Sequence, residues 1–258
     1  MLSILVINSK GGSGKTTLAT NFASYYASKK FRTTIMDYDP QGSCLHWLRT
    51  RESHLDVIHG ANAAPPKGAS TLQNLKKWVP VGTQVLVIDA PAGVKGLLLQ
   101  EMVRRSNFIV VPVVPSPIDI HATADFIQEL LKVSRSSVTK PKIAVVANRV
   151  RSKYVSRESL EKYFTSQNLS FLTSISDSDN FLRAAGKGLG VFEMDEHDTY
   201  TERRELIPIL NWLNGIAPEN KVNGANTKVV SINEPRKPSG TLPASKTWHS
   251  PITHKVDR

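Results

Sequence analysis

Two lysines five residues apart frame the chemistry of this chain. Lys10, Gly11, Gly12, Ser13, Gly14, Lys15, Thr16 and Thr17 form one run, KGGSGKTT. Leu2–Ile7, directly before it, is apolar at five positions and reads as a buried strand. From Gly14 onward the pattern is helical. A strand feeding a helix through glycines builds a cradle for phosphate, because the first N–H groups of the helix are unpaired and its dipole adds positive charge. In such a cradle Lys15 reaches β- and γ-phosphates and the Thr16 hydroxyl is a ligand for Mg²⁺. Three carboxylates suit the same task. Asp37 ends the strand TTIMD and Asp39 follows in its loop, within the segment DYDPQG, and Asp89 closes the apolar run VLVID. An acid at a strand end can hold a metal ion's water shell, and one facing a γ-phosphate can orient a water for in-line attack. The DYDPQG stretch is equally good turn chemistry. Asn148, at the end of IAVVAN, offers a donor and an acceptor to a base edge, or is simply a polar strand end.

The elements that must position these residues alternate. Strands are expected at Leu2–Ile7, Thr33–Asp37, Val57–His59, Gln84–Asp89, Phe108–Val114, Ile143–Asn148 and Phe171–Ile175. Helices are expected at Leu18–Lys29, Ile118–Val133, Arg157–Ser166, Asp179–Lys187 and Thr201–Leu213, with a loop at Asn62–Ser70. Strands that are apolar on both faces and alternate with helices define an α/β fold, a doubly wound and mostly parallel sheet. Ligands of such sheets sit beyond the carboxyl ends of the strands, where all the motif loops fall.

From Ile216 periodicity ends and Pro, Gly, Ser, Asn, Thr and Lys dominate. Residues 216–258 hold seven Lys/Arg and three Asp/Glu. Such a segment buries too little apolar surface to offset its ordering entropy. The expected organisation is a phosphate-binding α/β domain at 1–215 and a basic, disordered tail at 216–258, with Val229–Ile232 and Trp248 as its apolar spots.

Composition excludes several classes. The chain has 258 residues, 40% apolar and 21% charged, as expected of a globular protein. No apolar run approaches the about 18 residues of a membrane span, and Leu2–Ile7 is too short for a signal peptide. The single cysteine, Cys44, excludes an internal disulfide framework and a Cys-pair metal site within one chain. A cytoplasmic location is expected. The net charge of +11 points to a polyanionic partner, most simply nucleic acid.

KGGSGKTT departs from the ordinary P-loop, which has a glycine where this chain has Ser9, and it adds Lys10. That variant resembles the deviant Walker A box of the ParA/MinD family of ATPases. DYDPQG is similar to the family's switch I, VLVID to its Walker B strand, and VVPSPIDI and GKGLGVFEM to later segments, so the resemblance spans roughly residues 2–213. Switch II departs, since Ala90-Pro91-Ala92-Gly93 stands where the family usually has Thr-Pro-Pro. The resemblance implies ATP and Mg²⁺ as cofactors, held by Lys10–Thr17, with Asn148 at adenine and Arg149 beside it. It implies Thr16, Asp37 and Asp89 around the metal, the acids through water. It implies that Lys10, Lys15 and Asp39 serve hydrolysis, Lys10 by crossing to the partner's nucleotide in an ATP-dependent homodimer, and Asp39 by positioning the attacking water.

It further implies nonspecific DNA binding by basic residues of the C-terminal half. The candidates are Arg149, Arg151, Lys153 and Arg157 after one strand, Arg183 and Lys187 on one helix, and Arg203 and Arg204 on the last; Asn180 stands where relatives often carry an arginine. The implied function is a short positioning ATPase without an N-terminal helix-turn-helix. It would be nucleoid-associated, distribute a plasmid, carboxysome or chemoreceptor cluster, and be stimulated by a cargo-bound adaptor. A MinD-like membrane-surface ATPase would need an amphipathic C-terminal helix, which the Pro/Gly-rich tail does not suggest. A metal-carrier ATPase is disfavoured by the lone cysteine, and a tyrosine kinase by a tail without tyrosine. A biosynthetic ligase sharing the P-loop would turn over a small molecule without DNA.

Overall fold

The computed structural model describes residues 1–65, 79–151, 157–166 and 169–215. Lys153, part of the expected Asn62–Ser70 loop and the tail lie outside the described residues. Seven parallel strands form one sheet. They are β1 (Leu2–Val6), β2 (Thr33–Asp37), β3 (Ile58–Asn62), β4 (Val85–Asp89), β5 (Phe108–Val113), β6 (Lys142–Val150) and β7 (Ser170–Ser176). Their order is β3-β2-β4-β1-β5-β6-β7. The chain steps outward from β1 in both directions, so β1 and its glycine loop lie at the switch point where such sheets bind ligands.

Alternation along the strands splits the core in two. Ile4 and Val6 face a layer made with α1 (Lys15–Ser28), α2 (Ser43–Thr50), α6 (Asp179–Gly186) and α7 (Tyr200–Leu213). Leu5 and Ile7 face the layer of α3 (Gly96–Arg104), α4 (Pro117–Ser136) and α5 (Arg157–Ser166). Burial on both faces explains why the strands read as continuous apolar runs.

Two helices differ from the sequence expectation. The turn signals of DYDPQGS continue into α2, which starts after Gly42 in the left-handed region (φ 63°). Gly93 and Gly96 obscure α3, whose Leu99, Met102 and Val103 are buried. The strand expected at Val57–His59 is shifted and longer in the structure, and it forms one sheet edge.

Candidate functional site

The loop after β1 is built around its own carbonyls. Buried Asn8 donates to Pro112 O (2.7 Å) and Thr123 Oγ1 (3.3 Å), and its Oδ1 accepts from Lys10 N (3.1 Å). Lys10 O then accepts from Lys15 Nζ (2.8 Å) and Ser13 Oγ (3.2 Å). A β-carbon on Gly11 or Gly12 would meet nothing within 4 Å, so the backbone is open to an incoming anion. Gly14 is different. Its φ is +88°, and a β-carbon there would lie 2.0 Å from Asn148 Nδ2. That closeness lets Asn148 Nδ2 donate to Ser13 O at 2.8 Å, bracing the loop from β6. Irregular pairing of β6 with β7 after Ala147 accompanies this placement, and Arg149, at φ 58°, leans its guanidinium toward Gly12 O (3.4 Å). Such irregularities commonly re-aim side chains beside ligand sites.

The two lysines differ. Lys15 is buried, and burial lowers its pKa against the pull of Asp89 and Asp39. Lys10 is half-buried, and its ammonium has no partner among the described residues. Thr16 and Thr17 stand in the first turn of α1.

The carboxylates converge on this helix start. Asp37 is fully buried, and it caps α2 by accepting from Cys44 N (2.9 Å) and Leu45 N (3.3 Å), as suits an anion at a helix N-terminus. Burial raises its pKa, and the amides of Asp39, Leu45 and Cys44 oppose that rise. Asp89 Oδ2 accepts from Thr16 Oγ1 (2.8 Å) and Cys44 Sγ (3.2 Å), while its buried Oδ1 has no partner among the described residues. Burial pushes the Asp89 carboxyl up to about 6. Burial, with Asp89 and Asp37 adding to it, holds Cys44 well above the usual thiol range, so it stays an S–H donor. Half-buried Asp39 closes a turn through Gln41 N (2.9 Å). A lone acceptor beside the Thr16 hydroxyl fits a hard divalent cation, which needs oxygen donors. The open glycines and Lys15 fit a polyphosphate.

The basic candidates separate. Arg149 (3.2 Å) and Arg151 (2.5 Å) both pair with Asp177, whose carboxyl they hold below the usual range. Arg183 donates to Asn180 Oδ1 (3.1 Å) and stays exposed, as do Lys187 and Arg204, the latter lying over the Tyr200 ring. Arg203 is turned inward to Met194 O (2.6 Å) and Val191 O (3.2 Å), where it holds the Val191–Glu193 turn. The backbone places Arg157 at the start of α5.

Four features escape motif reasoning, namely Asn8, Cys44, Asp177 and the Arg51–Glu193 pair. Arg51, at the end of α2, donates to both Glu193 oxygens (2.8 and 2.5 Å) and to Gly188 O (2.9 Å), with both side chains 6% exposed. Trp47 Nε1 donates to Leu189 O (3.2 Å). The GKGLGVFEM segment thus anchors one end of α2, while Asp37 caps the other. Only the acidic residue of that segment hinted at an ionic role, and no local spacing linked it to Arg51.

This fold and loop define a P-loop nucleotide-binding protein. The chain belongs to the CobQ/CobB/MinD/ParA nucleotide-binding domain family, which matches residues 4–191. It is 27% identical over 197 residues to the maintenance of carboxysome distribution protein A of Halothiobacillus neapolitanus, covering 74% of this chain and 87% of that one. It is 30% identical over 134 residues to the protein of the same name from Gloeobacter kilaueensis, covering 52% and 59%. Among solved structures, an ATP complex of McdA from Cyanothece superposes with a TM-score of 0.60 at 14% identity, covering 84% of this chain and 97% of that one. MinD of Aquifex aeolicus does so with 0.64 at 16% identity, covering 84% and 98%. Those two likenesses show the fold. Among the described residues no helix is long and apolar enough to cross a membrane.

Proposed function

We propose that the protein is a positioning ATPase that hydrolyses ATP with Mg²⁺, dimerises when ATP is bound, and binds nucleoid DNA without sequence preference. Its cargo is a plasmid or a protein compartment such as a carboxysome, and an adaptor on that cargo stimulates hydrolysis. The names of the carboxysome-distribution relatives favour the compartment. The observation that carries the reading is the division of labour between the lysines. Lys15 is buried on a carbonyl of the loop, whereas Lys10 is half-buried with its ammonium unpaired among the described residues, as suits a side chain that reaches across to a partner's nucleotide.

In this reading Thr16 and Asp89 hold the metal, Asp89 and Asp37 through water, and Lys15 leaves Lys10 O for the phosphates. The metal, when bound, neutralises charge on the phosphate oxygens. Asp39 orients the attacking water, and Asn148 braces the loop and faces the adenine with Arg149 beside it. Arg151, Arg183, Lys187 and Arg204 contact DNA phosphates, whereas the inward Arg203 holds the Val191–Glu193 turn. No in-line arginine is evident in either switch loop, so unaided turnover should be slow, on the order of 10⁻⁴–10⁻³ s⁻¹ as in small GTPases.

Binding to random-sequence DNA with ATP, with ADP and without nucleotide tests this. ATP should raise affinity at least tenfold on every sequence. Equal binding in all three states, or fast turnover of a small molecule without DNA, would refute it.

A further inference from the structure

In a parallel sheet all strands start at one edge, and the helices that cross back also end there. Here that edge lies opposite the nucleotide loops. Backbone hydrogen bonds join the strand starts into a row. Gln84 N donates to Arg32 O (2.8 Å), Leu2 N to Gln84 O (2.8 Å), Asn107 N to Ser3 O (2.9 Å) and Lys142 N to Asn107 O (2.9 Å). From β2 to β6 the row takes four strand spacings, about 19 Å.

Cations line this row. Lys29 follows α1, Arg32 precedes β2, Lys132 and Arg135 end α4, and Lys140 and Lys142 lead into β6, all exposed. Thr139 Oγ1 donates to Val103 O (3.4 Å), which seats the turn before Lys140 against the end of α3. Among the described residues none of these six forms a salt bridge. Two acids nearby are committed elsewhere, Asp56 to Lys30 and Glu101 to Arg104 and Arg105, while Glu129 lies one turn before Lys132 on α4. Lys142 and Lys29 instead stand over the rings of Phe108 (5.7 Å) and Tyr25 (5.9 Å).

Cations at helix C-termini complement the helix dipole, which accounts for Lys29, Lys132 and Arg135. It does not account for Arg32, Lys140 and Lys142, which lie in loops and at a strand start. The end of α7 belongs to the same edge. Trp212 packs on Phe108 (4.9 Å between ring centres), and Tyr26 OH donates to Asn214 Oδ1 (3.0 Å).

We infer that the strand-start edge, with Arg32 at one end of the row and Lys140 and Lys142 at the other, is a second contact for the phosphate backbone of DNA, one that needs neither ATP nor a dimer. It deepens the DNA-binding reading above by adding a surface on the opposite pole of the fold. Over about 19 Å a duplex presents on the order of 11 phosphates, enough to engage every cation of the row. An anionic membrane fits less well. Among the described residues the exposed apolar side chains of this edge are the isolated Met1, Val57, Val81 and Val138, with no aromatic or leucine cluster to insert. The contact keeps the nucleotide-free monomer weakly on DNA between cycles, and ATP adds the stronger mode.

The test is anisotropy of a labelled random-sequence duplex at low salt, for the full-length parent and for Arg32→Gln/Lys140→Gln/Lys142→Gln, with and without ATP. ATP binding serves as the control for folding, and Lys140→Gln/Lys142→Gln carries the same test should the triple variant fail it. The expected result is weak, salt-sensitive binding by the nucleotide-free parent and about tenfold less by the variant. The salt slope should fall by about 0.9 for each phosphate that the variant leaves unneutralised, while the gain on adding ATP persists. Unchanged nucleotide-free binding by the variant overturns the inference. So does a nucleotide-free parent that binds phosphatidylserine vesicles and not DNA. If ATP adds nothing but the variant still loses nucleotide-free binding, the inference stands and the ATP-dependent reading falls.

Discussion

Replacing Asp89 by Asn should change the pH dependence of stability in a direction set by burial. The Asp89 carboxyl is raised from 3.8 to about 6, mainly by burial, which corresponds to about 3 kcal/mol between its two protonation states. The folded protein therefore keeps this proton after the unfolded chain has lost it. Between about pH 4 and pH 6 the folded state binds more protons, so this group lowers stability as pH rises, and its penalty is constant above. Asn cannot ionise. The unfolding free energy of Asp89→Asn minus that of the parent should rise by about 3 kcal/mol from pH 4 to pH 7 and then level off. The amide nitrogen left facing the site of the unpartnered Oδ1 costs about 1–3 kcal/mol, but equally at every pH. It moves the whole curve and not its shape. Urea unfolding of both proteins across this range, free of nucleotide and metal, reads the difference. A difference that is flat with pH would refute the buried carboxylate.

Other consequences are direct. Glu193→Gln strands the Arg51 guanidinium, which is 6% exposed, and should cost about 3–5 kcal/mol in urea unfolding; a loss under about 1 kcal/mol would show the pair to be solvated. Gly14→Ala puts a β-carbon 2.0 Å from Asn148 Nδ2 at φ +88°, so it should abolish ATP binding measured by calorimetry, and adding Asn148→Ala should restore it only in part. Asp39→Ala should keep ATP binding and stop phosphate release, because it removes the water-orienting carboxylate and leaves the cradle; turnover at the parent rate would make Asp39 only the turn former that its bond to Gln41 N describes.

Much of this was legible in the residues. β1, β4 and β5 are apolar on both faces, and that pattern has few readings other than buried parallel strands. The glycine loop declared itself through local spacing, as did Asp89 at a strand end. What sequence could not carry is action over distance. Helix α2 was hidden because its cap is Asp37, seven residues before Cys44, and not an adjacent side chain. The Arg51–Glu193 bond spans 142 positions and no local period marks it. Arg203 and Arg204 look alike in the chain, yet one faces carbonyls inside and the other solvent. Asn148 was legible as a polar strand end, but its grip on Ser13 O depends on the irregular pairing of β6 with β7.

The proposed cycle rests on an ATP-bound dimer joined through Lys10. Sedimentation of Asp39→Ala, in which turnover is blocked, tests it most directly when run with ATP and Mg²⁺, with ADP and without nucleotide, beside Lys10→Ala/Asp39→Ala. A dimer is expected only for Asp39→Ala with ATP, and a monomer in every other case. A monomer there despite bound ATP, or a dimer that survives the loss of Lys10, would contradict it.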